Sequence, residues 1–393
     1  MKGLRKIIYP FAPDQSGAAA VFYELGGMII ICDAGGCAGN ICGFDEPRWF
    51  RQKSAIFSAG LRDMDAILGR DDLMIEKIRA ASDKLDASFV AIIGTPVPAT
   101  IATDYHAIRR MGEKRIGLPV VTVDTNGALL YDNGIEKAYL ALFDRFAEDA
   151  SEDDIIPGSV GVLGATPLDT DSLDAFAKIR QSLLDDGASL VICYGEGGSD
   201  QANGEDMSEQ AAGDAVAYSG LNAFQNAGKM EKNIVTAPAG LKAARMLKER
   251  FGTPYEYADP MIDEVWEGIK AQIGGNDLCG KKILVIHQQI RANAVREKIR
   301  EELGADKADQ TQVKVATWFK PIRECREPGD LHIREEDEFI TLFEQDFDIV
   351  IADRTFRKAA RAFNGLWVEL PHFAVSGDFG EETVVSPRFY GAE

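Results

Sequence analysis

The chain has 393 residues, of which 46% are hydrophobic, a share typical of a soluble globular protein with two or three domains. Its 43 lysines and arginines stand against 63 aspartates and glutamates, which gives a formal net charge of −20. A surface this acidic repels phosphate-rich partners, so we expect neither nucleic acid nor an anionic membrane to be a partner.

The first residues carry no long apolar stretch and no small-residue cleavage site, so the sequence predicts no secretory signal peptide. No run approaches the roughly 18 apolar residues that suggest a transmembrane helix. We therefore expect a cytoplasmic protein that does not enter a membrane.

The first clear element is the apolar run at residues 28–31, which predicts a buried strand. It leads directly into a glycine-rich turn, C-D-A-G-G-C-A-G-N-I-C, that holds Cys32, Cys37 and Cys42, half of the six cysteines of the chain. Thiolates are the ligands of soft metal centres such as iron–sulfur clusters, and glycine lets the backbone approach a ligand closely. The turn therefore predicts metal or iron–sulfur ligation.

Packing and thiol redox chemistry remain alternatives for these cysteines, because a free cysteine is often a small buried hydrophobic side chain. Structural zinc is less favoured, since the close C-x2-C pairs usual in such sites are absent.

Short apolar runs and amphipathic helical stretches alternate through the rest of the chain, and the pattern restarts near Pro157 and near Cys279. Such alternation predicts parallel sheets that are covered on both faces. The predicted fold class is α/β, with three doubly wound, Rossmann-like parallel-sheet domains around a central cleft. The predicted domains are residues 1–156, 157–276 and 277–393, joined at acidic or glycine-rich linkers.

Two nucleotide-binding patterns are missing from the sequence. There is no G-x-x-x-x-G-K-[S/T] loop, and no G-x-G-x-x-G follows a strand. We therefore expect that the chain itself binds neither ATP nor NAD.

The segment H-Q-Q-I-R, residues 287–291, follows the first predicted strand of the third domain. His287 is a candidate proton donor, and Arg291 is a candidate for holding a carboxylate of a small-molecule substrate. The alternative for His287 is a histidine with satisfied hydrogen bonds at a strand end.

Several segments together resemble the nitrogenase component 1 superfamily, whose members include nitrogenase subunits, a cofactor-assembly scaffold and tetrapyrrole reductases. The family patterns Q-P-x-G-A, H-G-P-x-G-C, F-x-T-x-L, C-P-x-G and L-x-E-x-x-G-I-P are similar to D-Q-S-G-A-A (14–19), C-D-A-G-G-C (32–37), F-S-A-G-L (57–61), G-T-P-V-P (94–98) and L-K-E-R-F-G-T-P (247–254).

The resemblance implies that Cys37 is a cluster ligand, because it matches the cysteine that ends the family's H-G-P-x-G-C loop. Pro13 and Thr95 stand where the family often has its other two cysteines, and Cys32 replaces the family's histidine. A cluster would therefore need a ligand set rebuilt from Cys32, Cys37 and Cys42. A [4Fe–4S] cluster shared by two copies of the chain is favoured, and a larger eight-iron type is the alternative.

By resemblance, the function is that of a nitrogenase-like iron–sulfur oxidoreductase. It would take electrons from a separate ATP-hydrolysing iron protein, form a homodimer and reduce an unidentified small molecule. Two other functions stay open: a scaffold or carrier for metallocluster assembly without turnover, and a cluster-free module that binds a chelate.

Overall fold

The computed structural model describes residues 5–197 and 218–379. It contains three sheets of four, five and four strands, and every pair of neighbouring strands within them is parallel. Helices cover the sheets, so the predicted α/β class with three Rossmann-like sheets is confirmed.

The first sheet has the strand order β2-β1-β3-β4. All four residues of β1 are buried, because Met28 and Ile30 pack against one helical layer while Ile29 and Ile31 pack against the other. The elements are β1 (Met28–Ile31), β2 (Ile56–Ser58), β3 (Val90–Ile93), β4 (Val120–Val123), α1 (Asp14–Phe22), α2 (Gly36–Asn40), α3 (Asp63–Leu68), α4 (Asp71–Ser82), α5 (Pro96–Thr100), α6 (Tyr105–Ile116) and α7 (Tyr131–Phe146).

The second sheet has the strand order β6-β5-β7-β8. Its first strand begins at Ile156, inside the acidic stretch that the sequence suggested as a linker. The elements are β5 (Ile156–Leu163), β6 (Leu190–Cys193), β7 (Met230–Val235), β8 (Tyr255–Tyr257), α8 (Ala175–Asp185), α9 (Gly220–Gln225), α10 (Leu241–Phe251) and α11 (Ile262–Ile273).

The third sheet has the strand order β11-β10-β9-β12-β13. The N-terminal segment of the chain lies on this unit, because Glu336 accepts hydrogen bonds of 2.6–2.8 Å from the amides of residues 6–8. The elements are β9 (Lys282–Ile286), β10 (Gln312–Thr317), β11 (Leu331–His332), β12 (Ile349–Ala352), β13 (Leu366–Glu369), α12 (Gln289–Leu303), α13 (Ala305–Ala308), α14 (Glu336–Leu342) and α15 (Phe373–Ser376).

The helices α1 and α7 cross in unusually close contact at two glycines. A Cβ atom on Gly17 would lie 1.9 Å from the carbonyl oxygen of Tyr131, and one on Gly134 would lie 1.7 Å from that of Asp14. The two helix backbones therefore touch, and every residue of α1 is buried.

The three sheets share one continuous apolar core. Phe143 of α7 packs against Tyr194, which follows β6, and against Phe224 of α9, with ring centroids 4.9 Å apart in both pairs. Residues from the third sheet belong to the same apolar cluster. Among the described residues, no helix is both long enough and apolar enough to cross a membrane.

Substituting Gly17 by alanine should force α1 and α7 apart. Overpacking at a backbone contact lowers the free energy of unfolding by about 2 kcal/mol or more. Urea unfolding followed by circular dichroism measures the effect.

Gly268 of α11 is the matched control, since it is exposed and a Cβ there meets no atom within 4 Å. Gly268→Ala should leave stability unchanged or raise it by about 0.5–1 kcal/mol, because alanine has the higher helix propensity. Equal stabilities for Gly17→Ala and the unmodified protein would show that the helices are not in contact as described.

Candidate metal centre

The cysteine turn begins at the end of β1 and becomes helical at once. Gly35 has a φ of 119°, and α2 and a single turn of π-helix at Ile41–Asp45 follow it. The amide of Glu46 closes the π-turn by donating to the carbonyl of Ile41 at 2.9 Å. Turns of π-helix are rare and occur often at functional sites. Cys37 lies in α2 and Cys42 in the π-turn.

Cys32 points away from this helical segment and into the core. Its side chain is 2% exposed, and its Sγ lies 3.9 Å from the Sδ of Met74 in α4. Burial, with smaller contributions from the charges of Asp71 and Asp33, raises the pKa of Cys32 to about 12. This is the environment of a packed core side chain, which was one of the alternatives for the cysteines.

Cys37 and Cys42 are partly exposed. Burial and the charge of Asp33 raise the pKa of Cys37, while a hydrogen bond with Thr95 opposes the shift. Burial and the charge of Glu46 raise the pKa of Cys42 to about 11. Both thiols are therefore protonated at neutral pH unless a metal displaces the proton.

The side chain of Thr95 joins the loops after β1 and β3, because its hydroxyl donates to the carbonyl of Cys32 at 2.8 Å. Thr95 stands where the family resemblance expects a cysteine ligand. The loop after β3 is thus a neighbour of the cysteine turn, as the resemblance implies for a shared centre.

The ligand set of one chain is too small for a cluster. Among residues 5–197 and 218–379, no three histidine, cysteine or acidic side chains converge as a metal site. The sulfur chemistry of Cys37 and Cys42 suits iron, but a four-iron cube takes about four thiolates. The residues fit such a group only if a second copy supplies the other ligands.

Helix α1 fixes the segment that follows the cysteines. Ser16 donates to Asp45 at 2.6 Å, and the buried Arg48 donates to the carbonyl of Ala20 at 2.7 Å. Arg48 also makes a two-pronged ion pair with Glu46, with both distances 2.7 Å. Charge-assisted, bidentate pairs hold their geometry well, so the π-turn is firmly anchored.

Asp33 holds the other end of the turn. Its carboxylate accepts from the amide of Ala38 at 2.9 Å and from the hydroxyl of Ser58 at 2.5 Å. No role was predicted for Asp33 or Asp45 from the sequence. Their position beside the cysteines was the only signal that could have found them.

Arg291 is distant from the cysteines in the sequence, and its guanidinium group is already engaged in ion pairs. It is 4% exposed and donates to Asp259 at 2.6 Å and to Asp171 at 2.5 Å. Burial alone would lower its pKa, but the charges of Asp171 and Asp259 hold the pKa of Arg291 above its ordinary value. A substrate carboxylate would have to displace Asp171.

His287 is also buried, with 2% of its surface exposed. Its Nε2 lies 3.2 Å from the carbonyl of Pro371, and its ring stacks on His372 with centroids 4.1 Å apart. Burial, His372 and Arg291 together lower the pKa of His287 well below its usual range. The ring is therefore neutral at physiological pH, and its buried Nδ1 has no hydrogen-bond partner among the described residues.

A buried polar junction that the sequence analysis missed joins all three sheet units. Tyr131 donates to Asp169 at 2.5 Å, and its hydroxyl lies 3.0 Å from Nε2 of His372. Tyr131 begins α7, Asp169 follows β5 and His372 follows β13. Asp169 and His372 both follow strands in the sequence, and this placement was the signal that could have identified them as site residues.

A cavity of about 400 Å³ opens beside the cysteine segment. Its wall combines Thr355 with residues from four stretches of chain, 9–12, 43–51, 171–174 and 373–379. The second of these stretches begins one residue after Cys42. Arg291 lines a second cavity of about 250 Å³ that shares Asp171 with the first.

Residues 14–272 match the family model described as nitrogenase component 1 type oxidoreductase. The chain belongs to this family. The resemblance inferred from the sequence motifs is therefore confirmed. The match includes the cysteine turn and ends before β9, so His287 and Arg291 lie outside it.

The fold of this nitrogenase component 1 type protein also matches solved structures. The structure described as nitrogenase Cp1 at pH 6.5 superposes with a TM-score of 0.66 and 13% identity, covering 94% of this chain and 87% of that chain. Nitrogenase Cp1 at pH 5 gives a TM-score of 0.62 and 14% identity, with coverage of 95% and 85%. These identities show a shared fold alone. No curated protein matches the chain in sequence.

The raised pKa values predict how the thiols of the metal-free protein react with iodoacetamide. Only the thiolate reacts, so the rate at Cys42 should keep rising about tenfold per pH unit up to pH 9.5, whereas an ordinary thiol with a pKa of about 8.5 levels off. Mass spectrometry locates the modified residues, and a short unstructured peptide with one cysteine is the reference. A rate at Cys42 that levels off below pH 9.5 as it does for the reference, or modification of Cys32 in the folded protein, would contradict the described environments.

Proposed function

We propose that this protein is the catalytic component of a two-component reductase, and that two copies of the chain hold an iron–sulfur cluster between them. The observation that carries the proposal is the pair of partly exposed thiols, Cys37 and Cys42, on an anchored helical segment beside a cavity. Membership of an oxidoreductase family supports the reaction class.

The ligand count argues for two copies. Two thiolates from each chain give the four that a [4Fe–4S] cluster takes, and soluble homo-oligomers are most often twofold symmetric. Cys32 would be needed for a larger, eight-iron type, and its packing against Met74 favours the smaller cluster. The cluster would supply one-electron transfer, while Asp33, Arg48 and α1 keep the two thiols in place.

An exposed apolar surface lies near the cysteine turn and suits the contact between copies. Met64, Ile67 and Leu68 of α3 are 55%, 73% and 61% exposed. This helix begins just after Leu61, whose amide bonds to the carbonyl of Asp33 at 2.8 Å. Exposed apolar patches of this kind often mark protein–protein contacts.

A separate ATP-hydrolysing iron protein would supply the electrons. The family pattern supports this division of labour, as does the lack of a phosphate-binding glycine loop in the sequence. The cavity of about 400 Å³ is the proposed substrate site, because its wall includes Gly43, which directly follows Cys42 in the sequence.

Iron and sulfide analysis of anaerobically purified variants tests the cluster. Cys37→Ala and Cys42→Ala should each lose most of the iron, while Cys32→Ala should retain it. Cys279→Ala is the matched control, since Cys279 is also partly exposed but lies in the third sheet unit. Unchanged iron in Cys37→Ala or Cys42→Ala, with the fold intact, would remove the proposed ligands.

Iron content and turnover together separate the proposed function from its alternatives. Iron-free protein would favour the chelate-binding module. Iron that passes to an acceptor protein without any reduction would favour the assembly scaffold. ATP-dependent reduction with an added iron protein supports the reductase.

The double variant Ile67→Asp/Leu68→Asp should separate the two copies. Charged side chains in an apolar contact are unfavourable, so light scattering should show a monomer and the iron content should fall. Leu184→Asp is the control, because Leu184 is 37% exposed on α8, in the second sheet unit. An iron-loaded monomer in either variant would refute the shared cluster.

A further inference from the structure

The cavity beside the cysteine segment has aromatic walls. The aromatic side chains that line it are Tyr9, Phe44, Phe50, Phe373 and Phe379. Phe44 is 71% exposed, and the rings of Phe373 and Phe379 lie 4.6 Å apart. A volume of about 400 Å³ is within the range of small-molecule sites, which are mostly apolar with a few placed polar groups.

The charged groups of the wall are mainly acidic, and most are already paired. Asp171 is paired with Arg291, and Asp174 lies 3.3 Å from Arg51. Arg51 is the one cationic side chain among the described residues of the wall. Its charge is therefore offset by Asp174.

Asp45 is different, because it lines the cavity without a cationic partner in the described chain. Its carboxylate accepts a hydrogen bond from Ser16 at 2.6 Å, which fixes its direction. Burial, together with the like charge of Glu46, raises the pKa of Asp45, while the bond from Ser16 opposes the shift. A carboxylate beside aromatic faces is the combination that attracts a positively charged ligand, since aromatic rings also bind cations through their faces.

Two other cations lie outside the lining of the cavity but close to it in sequence or space. The Nζ of Lys358 lies over the ring of Tyr9 at 4.5 Å, and Arg354 forms an ion pair with Asp378. The net charge of −20 adds a long-range field that repels anions and attracts cations.

We propose that this cavity binds a flat organic cation, with Asp45 as the counter-charge and Phe44 as a stacking surface. The binding itself is independent of the iron; its meaning as substrate recognition rests on the proposed reductase function. A ligand with several carboxylates is disfavoured, because the wall offers it no unpaired cation among the described residues.

Three probes of one shape test the charge preference. They are 1-methylquinolinium, uncharged quinoline and quinoline-2-carboxylate, titrated calorimetrically into the full-length protein at pH 7.5 after its iron content is measured. The cation should bind at least about tenfold more tightly than the carboxylate, as expected for one partly screened charge pair. Weaker binding of the cation than of the carboxylate, or no binding of any probe at millimolar concentration, overturns the proposal.

Variants locate the binding. Asp45→Asn keeps an oxygen that can accept from Ser16, so the fold should persist while affinity for the cation falls about tenfold and affinity for quinoline is unchanged. Phe44→Ala, at an exposed side chain, should lower the affinity for all three probes. Asp153→Asn changes the net charge by the same amount at an exposed site outside the wall, and it should leave the affinities for all three probes unchanged. Cation binding that survives Asp45→Asn would assign the site elsewhere.

The outcomes for ligand and cluster are distinguishable. Iron-free protein that still prefers the cation through Asp45 would overturn the reductase and keep the cavity assignment. Iron-loaded protein that binds the carboxylate probe more tightly than the cation would overturn the cavity assignment and keep the reductase proposal.

Discussion

The contact between the backbones of α1 and α7 is the constraint on which the rest of the structure depends. Gly17 and Gly134 are each placed where any side chain would collide with the opposite helix. The contact fixes α1, and α1 in turn anchors the segment after the cysteines through Ser16 and the carbonyl of Ala20. The position of Cys42 is thus set by two glycines on distant parts of the chain.

Helix α7 also connects the three sheet units. Tyr131 at its first turn reaches Asp169, and one turn further Glu136 accepts from Lys320 at 2.6 Å and pairs with Lys242 at 2.8 Å. Each of these contacts joins different sheets. The side chain of Glu136 is 8% exposed, whereas those of Lys320 and Lys242 are 26% and 61% exposed, so the two ion pairs lie at the edge of the contact between the sheets.

The sequence was sufficient to predict what depends on local pattern. The apolar run of β1 and the alternation with helices predicted the three parallel sheets, and five short segments, one of them the start of the cysteine turn, predicted the family. The direction of Cys32 could not be predicted, because it depends on Met74 in a helix that folds against β1. Arg291 was predicted as a substrate ligand, but Asp171, 120 residues away, already holds it. That role for Arg291 and the proton-donor role for His287 stay predictions.

Iron-edge anomalous diffraction from crystals of the anaerobically prepared protein would locate the proposed cluster. A strong iron peak is expected on a molecular twofold axis, bounded by Cys37 and Cys42 of both copies, with Cys32 outside its reach. Iron bound elsewhere, or ordinary side-chain density around these two cysteines with no second copy nearby, would contradict the proposed shared cluster.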